Sequence, residues 1–267
     1  MLFKQLETRI GGAQVNYHFN FSIRNRYIYV QNSKCGCTYL KSSLTRVELS
    51  SKRFFNSEYR YTDPRLVVPD ALGKTPHQPV NRSVFIKPYQ LGVAAFEHFL
   101  SAPGYFKFAV VRNPYSRALS AYLDTVVRNR PPFHSLKADL AKLKGMQPGD
   151  VLPHNVSFLD FLSAIEHRVQ EHGWRYVDQH YRSQTHHLSD DLIAYDRIFK
   201  LEQFSEALDE ISSRIGVRLP EADRGPHQTD SGSRMSAFYA DTTCSKLVAS
   251  IYQDDLRRFG YEAPAGI

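Results

Sequence analysis

Tyr27-Ile-Tyr-Val-Gln-Asn-Ser-Lys34-Cys-Gly-Cys-Thr38-Tyr-Leu-Lys-Ser-Ser-Leu44 opens with a short apolar run, Tyr27 to Val30. Its β-branched and aromatic side chains predict a buried strand. Ser33 to Thr38 is a turn of small residues with Gly36 in its middle. Leu40, Leu44 and Val47 then recur at helix spacing. Strand, tight turn and helix in that order aim the open N–H groups of a helix start at an anion. Lys34 adds a mobile positive charge and Thr38 a hydroxyl. The stretch predicts a cradle for a phosphate-like group. Taken alone, it also fits an ordinary strand-to-helix turn with a surface lysine. It is not the usual nucleotide P-loop, because Lys34 precedes the glycine rather than following it.

A second junction repeats the pattern. Phe106-Lys-Phe-Ala-Val-Val111 reads as a strand and runs straight into Arg112-Asn-Pro-Tyr-Ser-Arg-Ala-Leu-Ser120-Ala-Tyr122. Asn113 is a good N-cap and Pro114 suits the first helical position. Ala118, Leu119, Tyr122, Leu123 and Val126 form the packing face. Arg112 sits at the mouth of this junction, and Ser120 lies about two turns into the helix.

The rest of the chain is punctuated around these two junctions. Residues 1–25 read as a lead-in of mixed polarity, and residues 51–90 as an irregular basic segment broken by five prolines. A short helix is expected at 91–100. Residues 128–157 form a second basic, Pro/Gly-broken segment with a short helix from Ser135 to Lys144; it is either a solvated insertion or a lid. Phe158 to His167 reads as a helix and Arg197-Ile-Phe-Lys200 as a third strand. Phe204, Leu208, Ile211 and Ile215 follow at helical spacing with Gly216 beyond them. Ser231-Gly-Ser-Arg234 is expected to be a small-residue loop with a cation. Leu247 to Leu256 mark the last helix, which stops near Gly260.

Length and composition narrow the classes. A chain of 267 residues with 42% hydrophobic content builds a real core, in one α/β domain by preference. A net charge of +7 suits a polyanionic ligand, a nucleic acid or an anionic surface, and equally a mildly basic soluble protein. Cys35, Cys37 and Cys244 are the three cysteines. An odd, small number argues against a disulfide framework, and no further ligands at metal-site spacing accompany them. They are expected as reduced packing thiols. No run of 18 apolar residues occurs, and Met1 to Glu7 lack the apolar core of a secretory signal. A cytoplasmic protein is expected, so the sequons at Asn20, Asn81 and Asn155 are read as coincidence.

The two junctions together resemble the sulfotransferases that use 3′-phosphoadenosine 5′-phosphosulfate. Lys34-Cys-Gly-Cys-Thr-Tyr-Leu40 is similar to their 5′-phosphosulfate loop, and Arg112 to Tyr122 to their 3′-phosphate motif. Asp178-Gln-His-Tyr-Arg-Ser-Gln184 resembles the Asp-x-His-Trp-x-Pro-Gln segment of the carbohydrate branch. Tyr252-Gln-Asp-Asp-Leu-Arg-Arg-Phe-Gly-Tyr261 resembles that branch's terminal motif. The likeness spans residues 27–261 in order. Ser33 stands where the family often has Pro, Tyr181 replaces Trp and Ser183 replaces Pro. These departures bear on the acceptor and on residue 180 more than on the donor.

The resemblance implies a three-layer, P-loop-like α/β domain with a mostly parallel sheet of about five strands flanked by helices. It implies a bacterial member without the membrane anchor of Golgi relatives, and transfer of a sulfuryl group to a carbohydrate hydroxyl. Donor contacts are expected from Lys34, Cys35, Gly36, Cys37, Thr38, Arg112, Ser120 and Arg234, with no metal. Lys34 and His180 are the expected catalytic pair; Asp178, His98 and His77 are alternatives for the base. Arg117 is expected to fix its helix or reach the nucleotide, and Tyr122 to pack the core. The segments 51–90 and 128–157 are expected to line a site for a glycan or glycolipid acceptor, not a nucleic acid. A P-loop kinase or NTPase is the alternative enzyme, and a polyanion-binding protein the alternative outside enzymes.

Overall fold

The computed structural model describes residues 1–49, 83–219 and 231–264. The proline-rich basic stretch, with His77, therefore falls outside the described residues, apart from its last eight. By its internal contacts the chain divides into two units. The first holds Met1–Gln31, Gly36–Val110 and Asp190–His227; the second holds Asn32–Cys35, Val111–Ser189 and Gln228–Ile267.

The first unit carries the sheet. Helices α1 (Leu2–Ile10) and α2 (Gly12–His18) lead into strands β1 (Phe19–Ser22) and β2 (Tyr27–Val30). Helix α3 (Cys37–Leu49), helix α4 (Pro88–Ser101), strand β3 (Phe106–Val111), strand β4 (Arg197–Lys200) and helix α9 (Phe204–Ile215) complete its named elements. The strand order is β1-β2-β3-β4. β1 pairs with β2 antiparallel, Phe19 opposite Val30, and β2 pairs with β3 parallel, Tyr27 opposite Phe106. β2 and β3 are buried at every position, as expected of strands that read as continuous apolar runs. Tyr29 stacks on Phe108 at 5.3 Å, and Phe19 and Phe21 meet Phe96 of α4 edge-on.

The described sheet thus has four strands, with β1 antiparallel to β2, where about five mostly parallel ones were expected. β1 lay inside the mixed-polarity lead-in. Its Asn20 is fully buried, yet its amide donates to the His18 and Tyr29 carbonyls, so a polar residue sits in a buried strand without loss. α4 starts at Pro88, three residues before the expected position, because the Lys87 amide finds the Gln90 side chain at 2.8 Å.

The second unit is helical. It holds α5 (Pro114–Tyr122), a π-turn over Leu123–Val127, α6 (Pro132–Lys144), α7 (Phe158–His172) and α8 (Gln184–Leu188). After the described gap come α10 (Ser231–Phe238), α11 (Thr242–Ile251) and α12 (Gln253–Phe259). Asn113 caps α5 as expected, its Oδ1 accepting from the Tyr115 amide at 3.0 Å. Phe133, Leu136 and Leu140 of α6 are fully buried against Phe161, Leu162 and Ile165 of α7. At about 2 kcal/mol for each such side chain, α6 is an integral wall of this core rather than a solvated insertion. Ser231–Arg234 opens helix α10 instead of forming a loop. The last expected helix is two, with the break at Tyr252.

Several charged side chains are buried in this helical unit, and Arg117 holds the most widely separated backbone. Arg117 is 2% exposed, and its guanidinium donates to the Ser33 carbonyl at 3.1 Å, the Arg182 carbonyl at 2.8 Å and the Gln179 carbonyl at 3.3 Å. Each of those oxygens would be a buried acceptor without it. Arg117→Leu is expected to cost on the order of 3 kcal/mol or more in urea unfolding, since each stranded acceptor costs about 1–3 kcal/mol. Arg117→Lys should recover only a part, because an ammonium cannot span the three acceptors as the planar fork does.

Candidate active site

The turn between β2 and α3 is bent by two left-handed residues. Gly36 has φ 73° and Lys34 has φ 68°. Glycine adopts that conformation freely, while a lysine there costs about 1–2 kcal/mol, strain of the kind that collects at binding sites. A Cβ on Gly36 would lie 2.8 Å from Leu201 Cδ1, so a larger residue would displace that side chain and be strained by the positive φ as well. α3 begins at the next residue, and Leu40 is the first to close onto Gly36, its amide donating to that carbonyl at 3.1 Å. The amides of Cys37 and Thr38 belong to the first turn, whose N–H groups have no acceptor within the helix itself.

Within the second unit a single buried amide ties Arg112 to Asn32 and Cys35, on either side of Ser33 and Lys34. Gln184 Oε1 accepts from the Arg112 amide at 2.9 Å, Asn32 Nδ2 at 3.1 Å and Cys35 Sγ at 3.2 Å. Its Nε2 donates to the Arg112 carbonyl at 2.8 Å. Arg112 Nη1 then reaches the Lys34 carbonyl at 3.4 Å, and its Nε the Ser116 hydroxyl at 2.9 Å. Gln184 is itself held by Asp255, which is fully buried and accepts from Ser183 Oγ at 2.7 Å and from the Gln184 and Thr185 amides at 2.8 and 2.9 Å. Tyr252 donates to the Tyr181 carbonyl at 2.7 Å. Both motif residues near the C-terminus thus clamp the 181–185 loop.

The polar side chains converge on Asp124, which stands on the π-turn. Its Oδ2 lies 2.9 Å from Lys34 Nζ, and its Oδ1 lies 3.5 Å from Arg128 Nη1. Burial pushes the Asp124 carboxyl upward, but Lys34, then His180 and Arg128, outweigh it and hold the group below the usual carboxylate range. His180 is therefore close enough to act electrostatically on the carboxylate that grips Lys34. His180 Nδ1 is 2.6 Å from Asp178 Oδ1, which also accepts the His180 amide at 2.9 Å. Burial raises Asp178, and the bonds and charge of His180, with Arg182, pull it below the ordinary value. An ionised Asp178 only accepts, so Nδ1 carries a proton and Nε2 is the ring nitrogen not taken up by Asp178.

The other expected residues are placed as follows. Cys35 is fully buried, its thiol donating within the turn to the Ser33 carbonyl at 3.5 Å. Ser120 is buried on α5 and Arg234 is exposed on α10. His98 is exposed on α4 of the first unit. Tyr122 packs the core and donates to the Val156 carbonyl at 2.9 Å. Three residues of the site were not singled out from sequence: Asp124, Gln184 and Asp255. Gln184 and Asp255 are fixed positions of the two C-terminal motifs and were legible there; Asp124 lies among apolar residues and gave no such signal.

The chain belongs to the sulfotransferase family, family-2-like: the profile described as Sulfotransferase family matches residues 17–262. That span contains both junctions, the Asp178–His180 pair and Asp255. No curated protein and no solved structure matches the chain. Family membership makes it a transferase that moves a sulfuryl group from a sulfate donor to an acceptor.

Gln184→Leu is expected to leave the Arg112 amide and carbonyl without their partners and to lower unfolding stability by about 2–4 kcal/mol. Gln184→Glu keeps the acceptor oxygens and should cost less. Circular-dichroism melts of both variants check the order.

Proposed function

We propose that this sulfotransferase takes 3′-phosphoadenosine 5′-phosphosulfate as its donor and a carbohydrate hydroxyl as its acceptor. The observation that carries the reading is the convergence of the Lys34 ammonium, the Arg112 guanidinium and the Asp178–His180 pair within one unit, with Lys34 and His180 both acting on Asp124. Such a donor supplies an activated sulfuryl group and two anionic ends, and two cationic groups joined through the Lys34 carbonyl fit that requirement.

Lys34 would stand at the 5′ end, with the Cys35 to Thr38 amides and the Thr38 hydroxyl beside it. Its ammonium counters negative charge growing on the leaving oxygen; a preorganised donor of this kind contributes on the order of 3 kcal/mol. Arg112 offers a planar fork suited to phosphate oxygens, with Ser120 and Arg234 as further contacts for the 3′ end. His180 Nε2 takes the proton of the acceptor hydroxyl as it attacks in line, and Asp178 fixes the ring and stabilises the imidazolium. Beyond that proton transfer, the chain is asked only to position the reactants and stabilise charge.

The carbohydrate acceptor rests on the two C-terminal motifs, whose residues do structural work around His180: Asp178 orients it, Gln184 bridges the turn, and Asp255 holds Gln184. The α6 region contributes basic residues, Lys137, Lys142 and Lys144 among them, as the wall an acidic or phosphorylated glycan would meet. Three free, buried cysteines suit a reducing compartment, which favours the cytoplasm. Among the described residues no helix is long and apolar enough to cross a membrane.

Incubation with sulfur-labelled donor and a panel of glycans tests the reading directly; label in no carbohydrate, with a folded protein, would overturn the acceptor. His180→Gln should lower kcat by about 10²–10⁴ while the dissociation constant of adenosine 3′,5′-bisphosphate stays within a factor of about two. Lys34→Ala should lower kcat by about 10²–10³. Preference for ATP over adenosine 3′,5′-bisphosphate in calorimetry would replace this donor with a nucleoside triphosphate.

A further inference from the structure

We propose that Lys41 is a second, buried cation for the phosphosulfate end of the donor, completing the turn from inside the helix. The proposal rests on the donor reading above.

Lys41 lies one turn behind the start of α3. Side chains on a helix lean toward its N-terminus, and residues four apart lie one above the other. Cys37 is the residue four positions before it, the first of α3, and the two groups act on each other electrostatically. The ammonium of Lys41 therefore lies within electrostatic reach of the first residue of α3, at the end of the anion turn. The residue is only 3% exposed, and its nitrogen lies over the Tyr17 ring at 5.4 Å.

What surrounds this ammonium is unusual for a buried charge. Charged groups are almost never fully buried unless paired. Among the described residues, the groups facing Lys41 are Tyr17 of α2, Cys37 of its own helix and Lys87, which precedes α4. Among the described residues no carboxylate is bonded to it. Lys87 makes the contrast plain. It is also buried, yet it donates to Asn20 Oδ1 at 2.6 Å and to the Tyr17 and Phe19 carbonyls at 3.1 and 3.3 Å. Lys87 is a structural amine with oxygen acceptors, whereas Lys41 has an aromatic face and, among the described residues, no anion. A buried cation one turn behind an anion-binding turn is electrostatically incomplete until a negative group arrives there.

The titration fits. Burial lowers Lys41 to about 8, while the Cys37 thiol acts in the opposite direction. An anion on the turn would raise it again, so binding should draw in a proton wherever Lys41 is partly neutral. The sign follows: affinity is highest below pH 8 and falls as pH rises through that value. A methionine in place of Lys41 removes the dependence. It also replaces a poorly solvated amine with an apolar chain of similar length, so the fold should survive.

The test uses the full chain and adenosine 3′,5′-bisphosphate, followed by calorimetry at pH 7 and pH 9.5 and, at pH 8.5, in buffers of different ionisation enthalpy. Wild type is expected to lose about ten-fold in affinity over that range and to take up a fraction of a proton. Lys41→Met should bind several-fold more weakly at pH 7, show less than about two-fold pH dependence, and take up none. Equal affinity and equal proton uptake in wild type and Lys41→Met would overturn the proposal, whatever the melting temperatures do. Lys34→Ala and Arg112→Ala separate the two readings. If neither weakens binding, the donor site itself is wrong; if both do and Lys41→Met does not, only the role of Lys41 falls.

Discussion

A guanidinium buried in the helical unit organises everything near it. Arg117 cannot shed its charge, so the chain must supply oxygens wherever it ends. Those oxygens are the carbonyls of Ser33, Gln179 and Arg182. The first immediately precedes Lys34, and the other two flank His180 and Tyr181. A single charge that must be satisfied therefore fixes the backbone beside both residues to which chemistry is assigned. Gln184 adds a second tie through the Arg112 amide and carbonyl. The apolar core of α5, α6 and α7 supplies most of the stability, but it is non-directional. Placement to within tenths of an ångström comes from buried hydrogen bonds, which fail when their geometry does.

Two carboxylates in a site proposed for an anionic donor look contrary at first. Each is already committed. Asp178 is engaged by the ring and amide of His180, and Asp124 lies between Lys34 and Arg128. Both are held below the ordinary carboxylate range, so they remain charged at neutral pH and orient cations rather than exchanging protons. Asp178 as the base is correspondingly disfavoured, because a carboxyl so stabilised in its charged form is a weak proton acceptor. That favours His180 over Asp178 in the proposed reaction, a choice their spacing alone left open.

Much of this was legible in the residues themselves. The two strand-to-helix junctions, the Asn113 cap, strand Arg197–Lys200 and the Gly216 terminus all follow local rules of period and capping, and local rules suffice for them. Strand β1 was not legible, because a four-residue strand containing Asn gains its identity from a neighbour, Tyr29, and from a distant lysine, Lys87. The Ser231 loop was misread for a related reason: small residues with no apolar period carry little helical signal, and the helix is secured by Phe238, which meets Tyr122 and Phe158. Asp124 was hidden because its meaning lies in a partner ninety positions earlier.

The π-turn explains how such an acid can sit there at all. α5 packs into an apolar core, and a regular continuation past Tyr122 would have to place Leu123, Val126 and an acid by one fixed period. Instead the Arg128 amide bonds the Leu123 carbonyl at 3.2 Å and the Arg130 amide the Thr125 carbonyl at 3.0 Å, each five residues back. The wider turn changes the phase of the helix. Leu123 and Val126 stay buried, Val127 turns outward at 53% exposed, and Asp124 faces Lys34. Hydrogen bonds in a π-turn are poorer than α-helical ones, so such turns persist mostly where something is gained by them. Here the gain is an acid aimed at the ammonium of the anion turn without any loss from the core, which makes the distortion a part of the site rather than a flaw in the helix.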